Sequence, residues 1–263
     1  MKDILDLDAF PLDQPESAAY QALCARCRND LARDGMCNLD GFLRAQPAQD
    51  ACDLLEPRLV EMAFRHKRLH NIYFDNNVPL PEGHPALKRF ETSNRTLCAD
   101  QLSGTRLVEV YEWQPLRDFL ATIMGKSELH TMADPLARVN VMSYGEGEAL
   151  GWHFDRSEFT TTLLLQPPRS GGVFEYRTDL RAPGKPNHEG VAQLLQGQDT
   201  DARALHLAAG TLNVFRGVNT PHRVTPVEGD TPRMIAVFSY FDRPGKVFTP
   251  KEQLGFYGRS AAT

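Results

Sequence analysis

The segment Gly151-Trp152-His153-Phe154-Asp155 holds the only His-x-Asp in the chain. On a β-strand, residues two apart point to the same face, so an extended segment brings His153 and Asp155 to one point. One imidazole and one carboxylate are two thirds of the 2-His-1-carboxylate set that holds non-haem Fe(II) and keeps positions open. A second segment, Phe215-Arg216-Gly217-Val218-Asn219-Thr220-Pro221-His222-Arg223-Val224, supplies a candidate third ligand in His222. It follows a strand and a turn, so a neighbouring strand can present it to the first pair. Arg233 follows further on, in another apolar run. Its planar, permanently charged guanidinium suits a bidentate grip on a carboxylate. His206 and Arg216 form a rival distal pair.

The elements that must carry these residues are short β-type runs at 139–144, 160–166, 172–176, 211–215 and 233–241. Turn signals punctuate them: Gly145-Glu146-Gly147, Pro167-Pro168, Gly171-Gly172, Pro183-Gly184 and Gly229-Asp230. Many short strands so separated predict a sandwich or barrel. Asn140 and Tyr144 share one face of the strand before the His-x-Asp segment. Trp152 and Phe154 alternate with the ligands and are expected in the core. The stretch 181–200 is polar and reads as a surface insertion, with His188 in solvent.

The N-terminal third reads as helical. One helix spans about 15–34, closed by Gly35, and another about 47–66, where Pro57 should kink or split it. A short strand at 36–43 lies between them, and a third helix at 115–124 ends at Gly125. His66-Lys67-Arg68-Leu69-His70 reads as a basic helix end, where cations suit the C-terminal dipole. The expectation is one domain, mainly β with α. Residues 1–135 are its mostly helical support, 136–242 its β core and 243–263 a C-terminal extension.

Composition narrows the partners. With 29 basic and 34 acidic residues, the net charge of −5 gives no electrostatic reason to bind nucleic acid or an anionic membrane. No run is long and apolar enough to span a bilayer, and the acidic start is no secretory signal, so a cytoplasmic location is expected. Five cysteines, an odd number, argue against a disulfide framework. Cys24-x-x-Cys27 lies in a helical pattern with no second such pair, so both are expected to be small buried residues.

His-x-Asp, a distal His222 in an His-Arg-Val context and Arg233 downstream resemble the Fe(II)/2-oxoglutarate-dependent oxygenases over about 136–242. The resemblance implies a double-stranded β-helix, a cupin-like jelly-roll core buttressed by the N-terminal helices. It implies Fe(II) on His153, Asp155 and His222, with 2-oxoglutarate and O2 as cosubstrates. Arg233 would hold the distal carboxylate of 2-oxoglutarate, with Asn140 and Tyr144 at the cosubstrate. Arg138–Tyr144, Phe159–Gln166 and Phe256-Tyr257-Gly258-Arg259 resemble the group that hydroxylates or halogenates free amino acids. Halogenases of that group replace the carboxylate ligand with a small residue, usually Gly. Asp155 departs from that and points to hydroxylation. The substrate implied is a small polar molecule, a free amino acid or derivative first, with Arg156 and Arg95 as candidates for holding it. Desaturation, cyclisation or halogenation on the same chassis, hydroxylation of a protein side chain, and a non-catalytic jelly-roll binding module are the other readings.

Overall fold

Along the chain run α1 (Ala18–Asp34), β1 (Met36–Leu39), α2 (Ala45–Glu61), β2 (Phe64–Asn71), β3 (Arg89–Leu97), α3 (Leu107–Glu112), α4 (Gln114–Met124), β4 (His130–Thr131) and β5 (Val139–Tyr144). Then come β6 (Leu150–His153), β7 (Thr160–Gln166), β8 (Ser170–Gly171), β9 (Phe174–Tyr176), α5 (His188–Leu195) and β10 (Arg203–Leu205). The last are β11 (Leu212–Phe215), β12 (His222–Val224), β13 (Val227–Glu228), β14 (Arg233–Phe238), β15 (Tyr240–Phe241) and α6 (Pro250–Tyr257). This computed structural model describes residues 1–261, and the last two positions of the expected C-terminal extension lie outside the described residues.

Seven strands form one antiparallel sheet in the order β1-β11-β7-β14-β5-β3-β2, and four form a second in the order β10-β9-β12-β6. Together they make the expected jelly-roll core. Period-two alternation gives the large sheet two different faces. Its outer face carries Leu97, Val139, Val141, Leu163, Leu165, Leu212, Val214, Met234, Ala236 and Phe238, which share one apolar core with α1, α2, α3 and α4. Its inner face turns to the smaller sheet and carries Thr96, Asn140, Tyr144, Thr162, Asn213 and Arg233, all buried.

The boundary expected at 135 does not separate helical support from β core. Strands β1, β2 and β3 lie before it, yet all belong to the large sheet. The basic helix end expected at 66–70 is instead β2, paired with β3 in register from Phe64↔Thr96 to Asn71↔Arg89. A continuous ladder along the full strand outweighs local propensity. Helix α2 runs through Pro57 unbroken. Pro57 lies on the exposed side, so the carbonyl it leaves without a partner reaches water, while Ala48, Ala51, Cys52, Leu55 and Leu59 keep their face buried. The supposed polar insertion contains α5, whose Val191, Ala192, Leu194 and Leu195 pack with Ile72, Trp152, Phe154 and Leu180 behind the ligand strand. All five cysteines are buried and free.

Candidate metal centre

Strands β6 and β12 pair with His153 directly opposite His222. The Asp155 N–H donates to the Gly217 carbonyl at 3.1 Å, which turns the chain just past β6 back toward the segment leading into β12. The three side chains therefore converge, with one ligand atom from each lying within 4.8 Å of the others. Asp155 Oδ1 is 3.4 Å from His153 Nε2 and 3.7 Å from His222 Nε2. Each imidazole uses its other nitrogen on a carbonyl: His153 Nδ1 on Gly151 at 2.9 Å and His222 Nδ1 on Thr220 at 3.0 Å. A carbonyl only accepts, so Nδ1 carries the hydrogen and Nε2 keeps its lone pair for a metal. Burial, with His153 close by, lowers the His222 pKa to about 4, so this imidazole is neutral, as a ligand must be. Burial raises the Asp155 carboxyl, but His222, His153 and the Thr160 hydroxyl together hold it well below the usual range.

The surroundings of the ligands are aromatic. The Phe215 ring stands edge-on to His222 at 4.7 Å, and Phe174 stacks on it at 5.5 Å. Phe74 meets His153 edge-on at 5.6 Å and stacks on His70 at 4.1 Å. Phe74 adopts φ 52°, a left-handed conformation that is costly for a bulky residue and that clusters at binding sites. The Asn71 side chain fixes this turn by accepting from the N–H groups of Tyr73 and Asp75.

Arg233 pairs across β14 and β5 with Tyr144, and both are buried. Burial lowers the Arg233 pKa to about 10 and pushes the Tyr144 phenol up to about 12. Arg233 Nη1 has no hydrogen-bond partner among the described residues. A buried cation with an orphaned donor fits a ligand carboxylate. A cavity of about 280 Å³ ends on it, lined by Leu164, Phe174, His206 and Leu207. The rival ligand His206 is thus an exposed residue at the rim of this cavity and outside the ligand cluster. Arg216 lies over the Phe159 ring instead of in the cavity.

Other expected site residues fall differently. Asn140 Nδ2 donates to the Leu136 and Val139 carbonyls, and Tyr257 O–H donates to Asn140 Oδ1 at 2.9 Å. Its amide anchors α6 through Tyr257. Arg156 is an exposed rim residue, 3.4 Å from Glu252 and 5.7 Å from the Phe256 ring, both on α6. Arg95 pairs with Ser143 and so shares the outer, helix-packed face with Leu97 and Val141. It points away from the ligands, because residue type alone does not reveal the face of a strand.

Three residues near the ligands were not expected there. Arg68 lies over the Phe74 ring at 4.9 Å and forms no ion pair among the described residues. Thr160 donates to Asp155 Oδ2 at 2.6 Å. Gly217 abuts the same carboxylate. The available signal for Arg68 was its place two residues from His66 and His70, which strand alternation would have put on one face.

A family model described as HalD, Halogenase D, matches residues 21–245. AviO1 from Streptomyces viridochromogenes superposes with a TM-score of 0.57 at 14% identity, covering 86% of this chain and 97% of that one. The epimerase SnoN, solved with Fe3+, alpha-ketoglutarate and nogalamycin RO, gives 0.55 at 15% identity, covering 84% of each chain. A 2OG-Fe(II) oxygenase family oxidoreductase from Burkholderia pseudomallei gives 0.51 at 15% identity, covering 85% of this chain and 92% of that one. No curated protein matches by sequence. At such identities the structures speak for the fold, which is that of the Fe(II)/2-oxoglutarate oxygenases.

Proposed function

The chain belongs to the Halogenase D family, and from that premise we propose that it is an Fe(II)- and 2-oxoglutarate-dependent hydroxylase. Its substrate is a small polar molecule bearing a carboxylate, a free amino acid or derivative first. The observation that carries hydroxylation over halogenation is Asp155, whose Oδ1 faces both imidazoles. It fills the position that a halide would take and brings the negative charge a halide would bring.

When bound, iron together with 2-oxoglutarate and O2 would supply an oxidant able to break an unactivated C–H bond, one oxygen atom of O2 going to the succinate that is released with CO2 and the other to the substrate. The chain's part is to bind and orient. His153, Asp155 and His222 would hold the ion, and three protein ligands would leave positions free for the cosubstrates. Arg233, which lines the cavity and has Tyr144 beside it, would hold the distal carboxylate of the cosubstrate. Phe215, Phe174 and Phe74 keep water from the ligand side. Arg68, held over Phe74, offers a cation near His153 to the substrate carboxylate.

The test is a screen of amino acids for iron-dependent succinate release, followed by product mass in chloride buffer. A gain of one oxygen supports the proposal. A chlorinated product, or loss of two hydrogens without oxygen, replaces it with halogenation or desaturation. Absence of any iron-dependent 2-oxoglutarate turnover favours a binding module.

A further inference from the structure

Asp155 is held by both of its oxygens, and only one faces the histidines. Oδ1 lies toward His153 Nε2 and His222 Nε2, whereas Oδ2 accepts the Thr160 hydroxyl at 2.6 Å. Thr160 opens β7 on the inner face, opposite Phe215, whose ring contacts His222. The loop between Asp155 and Thr160 thus folds back to place a donor on its own ligand. Gly217 closes the remaining side. A Cβ there would stand 2.7 Å from Asp155 Cγ and 2.8 Å from its Cβ, and would overlap Oδ2. Gly217 has no positive φ, so the glycine serves space and not backbone conformation.

We propose that Thr160 and Gly217 form a clamp that makes Asp155 a one-oxygen ligand, with Thr160 as its positioning residue. This rests on the iron-site reading above. The physical reason is a count of positions. Two imidazoles and one carboxylate oxygen leave three places on an octahedral ion, enough for a bidentate keto acid and O2. A carboxylate that rotated to offer both oxygens would leave two, and the keto acid would fill them. The Thr160 hydrogen bond opposes that rotation, because Oδ2, a charged acceptor, would have to give up the short bond that the Thr160 hydroxyl donates to it. The Gly217 Cα wall opposes displacement the other way.

The experiment uses the full chain loaded with Co(II) in place of iron, read by titration and by visible absorption, with Thr160→Val, Thr160→Ser and Gly217→Ala. Val keeps the shape and β-preference of Thr but removes the donor. Thr160→Val should weaken Co(II) binding about 10–100-fold and change the absorption spectrum. Thr160→Ser should restore both, and Gly217→Ala should perturb both without rescue by Ser at 160. Metal-free melting of each variant separates folding from ligation. A Thr160→Val protein with wild-type Co(II) affinity and spectrum overturns the clamp, whatever its melting temperature. So does a Thr160→Ser protein that behaves as Thr160→Val does. Wild-type protein that does not bind Co(II) overturns the iron site itself, and the clamp with it.

Discussion

The two faces of the large sheet obey opposite rules. The outer face presents Val141, Leu163, Ala236 and their neighbours to the helices, and each is buried among apolar atoms. The inner face buries Thr96, Asn140, Tyr144, Thr162, Asn213 and Arg233, groups that cost free energy to remove from water unless partnered. Some find partners in the chain, as Asn140 does in Tyr257. Arg233 Nη1 finds none among the described residues. One face is therefore built for stability, and the other accepts a stability cost to hold ligands.

The largest effects should come from the point where the inner face meets the small sheet. His153→Ala, Asp155→Ala and His222→Ala should each abolish iron-dependent turnover while metal-free melting stays close to wild type. Near-normal turnover in His222→Ala with loss in His206→Ala would move the site. Next comes a double dissociation. Leu163→Ala on the outer face should cost about 2–5 kcal/mol of stability in denaturant unfolding and leave 2-oxoglutarate affinity unchanged. Arg233→Leu should cost about 2–5 kcal/mol of 2-oxoglutarate binding by calorimetry, and metal-free stability should not fall, since a buried unpaired cation is removed. A loss of stability in Arg233→Leu would mean that the cation is already partnered and the faces are less different than described.

Acid should expose the same asymmetry. His222 has an ordinary value of 6.5, and burial lowers it to about 4 in the fold. Between those values the unfolded chain carries a proton that the folded chain does not, so stability falls as pH drops through that window and is fully present above it. The slope from one such proton is about 1.4 kcal/mol per pH unit. Unfolding of metal-free His222→Gln across the window should show a shallower decline than wild type. The smallest expected effect is Arg95→Ala, on the outer face beside Ser143. It should change neither cosubstrate affinity nor turnover, and stability by less than about 0.5 kcal/mol.

The cluster of His153, Asp155 and His222 was legible because strand alternation and a single His-x-Asp leave few alternatives, and Arg233 stood out as a charge at the start of an apolar strand downstream of His222. Strand β2 was not. Its inner positions His66, Arg68 and His70 are as polar as its outer ones, so no apolar alternation marks it, and only long-range pairing with β3 makes it a strand. Helix α5 was hidden by polar flanks around four buried residues. Arg95 was misplaced because its face depends on the register with Ser143, which spacing does not encode. Thr160 was visible as the start of a strand, but its bond to Asp155 depends on how the intervening loop returns.

The central claim, that the small sheet presents His153, Asp155 and His222 to iron while the inner face of the large sheet presents Arg233 to a keto acid, is tested most directly by anaerobic titration of the metal-free protein with Fe(II) and 2-oxoglutarate. A keto acid chelated to Fe(II) gives a visible charge-transfer band. The account predicts this band in the wild type, its loss in His222→Ala, and its appearance only at much higher 2-oxoglutarate in Arg233→Leu. Wild-type protein without the band, or an Arg233→Leu titration that overlays the wild type, would contradict it.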